Sequence, residues 1–208
     1  SATWGVTNAR ARHRPLTQAE FLRLMSMLTS QRIICNGLAQ YSFEGVWPGI
    51  AGIARPTGAL LDGLSSPKLA EIRALVENVV VTQRRKVVIF SQWRRMLKLV
   101  QWACADLLAD AGVKAVFFTG EEGSKRRPQN IVDFHDDDQT RVLCASDAGG
   151  VGLNLQHSAN AMINVELPWN PAVLEQRIGR VHRMGQTRSV QVINFVAQGT
   201  IEEGMLSV

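Results

Sequence analysis

The 208-residue sequence predicts an α/β fold: a doubly wound parallel sheet with helices on both faces, preceded by a helical segment. Three observations carry this. Short, almost wholly apolar runs at Val87–Phe90, Val113–Phe118, Val142–Ala145, Ala161–Val165 and Val190–Val196 have the length and composition of strands buried on both faces. Between them lie stretches suited to crossover helices: Gln92 to about Ala111, Lys125–His135 and Pro171–Met184. Repeats of this length imply parallel strands joined by right-handed crossovers, with ligands gathering at the strands' carboxyl ends.

Composition limits the classes without choosing among them. A hydrophobic content of 46% and a charged content of 20% are ordinary for a globular chain that buries one good core. A net charge of +5 favours polyanionic partners only weakly. No apolar run approaches the roughly 20 residues that span a bilayer, and the first residues lack the apolar centre of a signal peptide. Cys35, Cys104 and Cys144 lie far apart, as do His13, His135, His157 and His182, so neither a disulfide framework nor a metal site is indicated. The chain reads as cytoplasmic, with no membrane partner and no metal.

Taken in order, residues 1 to about 15 are polar and arginine-rich and read as a linker. Thr17-Gln18-Ala19-Glu20 is a capping box that opens a helix. Phe21, Leu24, Met25, Leu28, Ile33 and Ile34 carry its apolar stripe to about Cys35, and Gly37 can stop it. From Ser42 to Ser65 no period of 2 or 3.6 runs through the residues, which predicts a loop or small irregular insert. Ser66 then caps a new helix with Pro67 at its first position and Leu69, Ile72, Leu75, Val76 and Val79 as its buried stripe. The domain boundary falls here: 1–65 as a helical linker and insert, 66–208 as the sheet domain.

The chemistry concentrates in the last quarter. Asn170 can cap a helix beginning at Pro171, on which Gln176, Arg180 and Arg183 fall at four- and three-residue spacings. Arginine's rigid fork of donors matches phosphate oxygens in two places at once, and two such residues one turn apart suit an arginine-finger role. A solvated helix face is the competing explanation for any isolated Arg-x-x-Arg. Ser146-Asp147-Ala148-Gly149-Gly150-Val151-Gly152 follows a strand. Its glycines let backbone N–H groups approach a phosphate, with Ser146 adding a hydroxyl, though a tight turn needs glycine for structural reasons too. Ser91 and Gln92 end another strand, where a phosphate contact and a plain helix cap at Ser91, with Trp93 in the core, both remain open. Lys125, Arg126 and Arg127 are a basic cluster best explained by exposure, and Asp136-Asp137-Asp138 an exposed loop.

The string Gln176-Arg177-Ile178-Gly179-Arg180-Val181-His182-Arg183-Met184-Gly185-Gln186, opened by Trp169-Asn170-Pro171, resembles the sixth motif of superfamily-two helicases in its Swi/Snf form. The Glu175–Arg180 version resembles the bacterial branch. Phe90-Ser91-Gln92 is similar to the fourth motif and Ser146–Leu155 to the fifth. Ile34-Cys35-Asn36 is similar to the linking helix, though the family's usual His-Pro is replaced by Gly37-Leu38. The resemblance covers about residues 16–208. It implies a RecA-like, P-loop NTPase-type lobe with catalytic roles for Arg180, Arg183 and Gln176 and nucleotide contacts at Gly152 and Asn154. It also implies nucleic-acid contacts at Ser91, Gln92, Ser146, Gly149, Gly150 and Asn170. Asn154 stands where many related helicases carry an aspartate near the ribose.

No Gly-x-x-x-x-Gly-Lys-Ser/Thr occurs, since Gly120–Lys125 has the wrong spacing, and no Asp-Glu pair ends an apolar strand. Phosphoryl transfer needs both parts. The expectation is therefore a C-terminal motor lobe, inactive alone. ATP with Mg2+ is held mainly by a first RecA-like lobe of the same protein, and double-stranded DNA is the track. A non-hydrolysing nucleic-acid-binding scaffold is the alternative. A metabolic dinucleotide enzyme is disfavoured because Ser91-Gln92-Trp93 is not a glycine fingerprint.

Overall fold

The computed structural model describes residues 15–56, 58–147 and 152–205. Helix α1 spans Gln18–Asn36. Its capping box is complete: the Glu20 N–H donates to Thr17 Oγ1 at 3.3 Å, and the Thr17 N–H donates to Glu20 Oε2 at 2.9 Å. Gly37 ends the helix at φ 145°, where a Cβ would lie 2.9 Å from Ser66 Cβ, so both backbone conformation and close approach call for glycine. The buried residues of α1 are Arg32 and Asn36, whereas Phe21, Met25 and Ile34 of the expected apolar stripe are exposed.

The stretch 42–65, expected as a loop, is largely helical. After the single turn α2 (Leu38–Tyr41) come α3 (Phe43–Ile50) and α4 (Gly58–Leu64). Phe43 and Ile50 enter the main core, and Phe43 stacks on Trp47 with centroids 5.0 Å apart. Phe43, Val46, Trp47 and Ile50 follow a helical spacing over about two turns, a run too short and too interrupted by Gly45, Pro48 and Gly49 to set a period for the whole segment.

Helix α5 (Pro67–Val76) is capped by Ser66, whose hydroxyl accepts from the Leu69 N–H at 3.1 Å and donates to the Asn36 carbonyl at 2.6 Å. A π-turn at Glu77–Thr82 extends it. The sheet comprises β1 (Val87–Phe90), β2 (Lys114–Phe118), β3 (Thr140–Ala145), β4 (Ala161–Asn164) and β5 (Gln191–Asn194). All pairs are parallel, in the order β2-β3-β1-β4-β5. The strand after β1 lies to one side of it and the strand after β3 to the other, which makes the carboxyl edge between them a topological switch point.

Alternate residues of β1 face two cores. Val87 and Ile89 join Leu97, Val100 and Trp102 on one side; Val88 and Phe90 join Phe134, Leu155 and Val181 on the other. This is the double winding the apolar runs predicted.

Two helices are shorter than expected. The Gln92–Ala111 stretch divides into α6 (Arg94–Ala103) and α7 (Ala105–Asp110). Arg73 supplies the reason: its guanidinium takes the Ala103 carbonyl and forks onto Asp106 at 2.5 and 2.7 Å, drawing that carbonyl away from the helical ladder. Helix α8 follows at Arg126–Asp136. Helix α9 runs only from Pro171 to Ile178, so Arg180 and Arg183 lie beyond it rather than on one helical face with Gln176. The Arg180 carbonyl is diverted to the Leu155 N–H at 2.9 Å, and the chain tightens into three-residue turns around the buried Val181. Helix α10 covers Ile201–Met205.

Candidate nucleotide and nucleic-acid site

Register places three loops side by side at the carboxyl edge. Phe90 is level with Ala145 on one neighbour and Asn164 on the other, so Ser91, Ser146 and Val165 leave the sheet together. The segment after β4 holds a carboxylate, Glu166, with no exposed surface. Its Oε2 accepts from the Ser91 hydroxyl at 2.9 Å and its Oε1 from the Gln92 N–H at 2.6 Å. Burial pushes this carboxyl up to about 7, against the opposing pull of Arg177, the Gln92 N–H and the Ser91 hydroxyl.

Arg177, only 2% exposed, is the second centre. Nε and Nη2 donate to the two carboxylate oxygens of Asp147 at 2.6 and 2.8 Å. Nη1 donates to Asn164 Oδ1 and to the Glu166 carbonyl, both at 3.1 Å. Nη2 lies 3.7 Å from Glu166 Oε1, and the guanidinium sits over the Phe90 ring. A single side chain thus ties α9 to the loops after β3 and β4, with every hydrogen bond charge-assisted.

Around this buried frame the sequence-predicted residues take different positions. Arg183 is exposed and donates through Nη1 to Asn154 Oδ1 at 2.6 Å, which brings together two residues 29 positions apart. Arg180 is half-buried beside them in sequence, and Gln176 is exposed on α9. Gly152 has φ +83°, a conformation that favours glycine. Gln186 closes the turn by donating to the carbonyls of Ala159 and Val181 at 3.0 and 3.2 Å. Asn170 accepts from the Ala172 N–H at 3.0 Å and so caps α9.

The hydroxyls at Ser91 and Ser146 are turned inward. Ser91 is fully buried, donates to Glu166 and accepts from the Trp93 N–H at 3.0 Å; Ser146 donates to the Thr119 carbonyl at 3.0 Å. Gly149 and Gly150 lie outside the described residues. Sequence reasoning missed Glu166, Arg177 and Asp147 as a unit. A signal existed for the first: Glu166 interrupts the apolar run Ala161–Leu167, and a carboxylate there has to be partnered. Among the described residues no helix is long and apolar enough to cross a membrane, and no cluster of three His, Cys, Asp or Glu residues could share a metal ion.

An all-parallel sheet with its loops strapped together at a switch point, and an exposed arginine beyond them, defines a RecA-like lobe. The model of the helicase conserved C-terminal domain matches residues 68–185. The chain is 43% identical over 121 residues to an uncharacterized ATP-dependent helicase, YqhH, of Bacillus subtilis, covering 58% of this chain and 20% of that protein. It is 36% identical over 142 residues to the DNA repair protein RAD5A of Arabidopsis thaliana, covering 67% and 13% respectively. The crystal structure of the C-terminal part of the Fun30 ATPase domain superposes with a TM-score of 0.62 at 25% identity, over 77% of this chain and 50% of that one. The chain belongs to the helicase conserved C-terminal domain family, and its relatives are SWI/SNF-type ATP-dependent helicases. It spans about a fifth or less of the length of these two relatives.

Proposed function

We propose that this chain is the C-terminal motor lobe of an ATP-dependent translocase or remodeller of double-stranded DNA, with residues 1–65 as linker and 66–208 as the lobe. The observation that carries the reading is the position of Arg183: exposed, and held by Asn154, a residue of the loop that follows β3. Arg180 and Arg183 present guanidiniums to the terminal phosphate of ATP held by the upstream lobe. Charge developing on the equatorial oxygens during transfer to water is neutralised there. The residues suit that ligand, since a pair of arginines and an amide are complementary to a triphosphate and its ribose. Mg2+ belongs to the upstream lobe in this reading. Gln176 orients the arginines, Gly152 and Asn154 line the nucleotide side, and the Ser91–Gln92 loop, Ser146–Gly150 and Asn170 face one DNA strand. With the Ser91 and Ser146 hydroxyls committed internally, backbone N–H groups and the Gln92 amide make the strand contacts.

The test is ATP turnover with and without duplex DNA, for this chain and for a protein extended upstream through the other lobe. Silence from the chain and DNA-stimulated turnover from the extended protein are expected. Silence from both favours a non-hydrolysing nucleic-acid scaffold, and turnover by the chain alone overturns the split-site reading.

A further inference from the structure

Arg32, near the end of α1, lies outside every motif assigned above, yet it is 1% exposed. Its guanidinium carbon lies over two indole rings, those of Trp93 and Trp169, 5.0 Å from each centroid. Nη2 donates to the Leu167 carbonyl at 2.5 Å, and Nη1 makes a longer contact of 3.4 Å to Gln92 Oε1. Nε is buried without a partner, and Arg32 forms no ion pair among the described residues. Glu166 and Glu202 act on it only from a distance.

This is an expensive way to attach a helix. A leucine or methionine would fill the same place against two rings with no charge to desolvate. What a guanidinium adds is geometry: a flat ion that lies over aromatic rings while aiming donors in its own plane. Both donors point at functional loops. Gln92 follows β1, and Leu167–Trp169 runs directly into Asn170, the cap of α9.

We propose that Arg32 is a positioning residue, which couples the setting of the linker helix to the Gln92 amide and to the start of the arginine-bearing segment. The inference rests on the motor reading, in which α1 leads to the other lobe. Rotation of that lobe then reaches the DNA-facing loop through one planar contact.

The experiment compares Arg32→Lys, Arg32→Met and Trp169→Leu in the two-lobe protein, following basal turnover, DNA-stimulated turnover, duplex affinity and melting temperature. DNA-stimulated kcat should fall about tenfold to a hundredfold, the scale of an ångström-level misplacement, with smaller falls in duplex affinity and in basal turnover, since Gln92 is one strand contact among several. Lysine should not rescue, because it keeps the charge and loses the planar guanidinium. Unchanged stimulation, rescue by lysine, or losses that merely follow a lowered melting temperature each overturn the inference. Absence of DNA stimulation in the unsubstituted protein instead overturns the functional reading beneath it.

Discussion

Arg177 grips Asp147 with two nitrogens, at 2.6 and 2.8 Å, and this makes the first arginine of the motif a strut rather than a finger. Gln176 and Arg183 of the same string are exposed, whereas Arg177 is buried. Substituting Arg177 by leucine leaves the Glu166 carboxylate without its nearest cation. Breaking a buried pair of this kind costs about 3–5 kcal/mol. In a domain of this size that corresponds to a fall in melting temperature of roughly 6–20 °C. Lysine should rescue little, since it cannot reproduce the fork. Thermal unfolding of the isolated lobe decides it: a loss under 1 °C would show that the fork carries no stability.

The raised pKa of Glu166 makes stability depend on pH in a defined window. The folded carboxyl titrates near 7, against an ordinary 4.5. The folded state therefore binds the proton more tightly than the unfolded chain does. The stabilisation is fully present below about pH 4.5 and is lost as pH rises through 7. Glu166→Gln removes the titrating group while keeping one acceptor oxygen for the Gln92 N–H and an NH2 that can donate to the Ser91 hydroxyl. Melting curves between pH 5 and 8 should fall less steeply for this variant than for the parent. Parallel slopes would place the titration elsewhere.

Lys68, Glu202 and Asn36 form a second buried polar knot. Lys68 Nζ donates to Glu202 Oε2 at 2.7 Å and to Asn36 Oδ1 at 2.9 Å, joining α5, α10 and the end of α1. Glu202→Ala strands the Lys68 ammonium and should cost about 3–5 kcal/mol, whereas Lys68→Met combined with Glu202→Leu should be close to neutral. A double-mutant cycle read by denaturant unfolding measures the difference. Simple additivity would mean that the two charges do not interact.

Arg183→Ala in the two-lobe protein should lower ATP turnover about a thousandfold or more while leaving duplex affinity nearly intact. Asn154→Ala removes the tether of Arg183 together with an amide on the nucleotide side, and a loss of about tenfold or more is expected. Near-normal turnover in Arg183→Ala would remove the arginine from its assigned role.

Much of this could be read in advance. The capping box at Thr17 and Glu20, the Ser66-Pro67 and Asn170-Pro171 helix starts, and the five strands are local events. Each depends on hydrogen bonds within four residues or on burial of a short apolar run, and both are written into neighbouring side chains. The segment 42–65 escaped because the helical run Phe43, Val46, Trp47 and Ile50 spans only about two turns, with Gly45, Pro48 and Gly49 inside it.

What the sequence by itself determined is the alternation of strand and helix, and with it the carboxyl edge where Ser91, Ser146 and the arginine string converge. Only the tertiary structure decided which of these residues face outward. Ser91 gives its hydroxyl to Glu166, Arg177 gives its guanidinium to Asp147, and Arg32 lies over two tryptophans 61 and 137 positions away. A buried charge must find a partner or a face to stack on wherever the fold brings one within reach. That partner is set by the order of the strands, which local sequence does not encode.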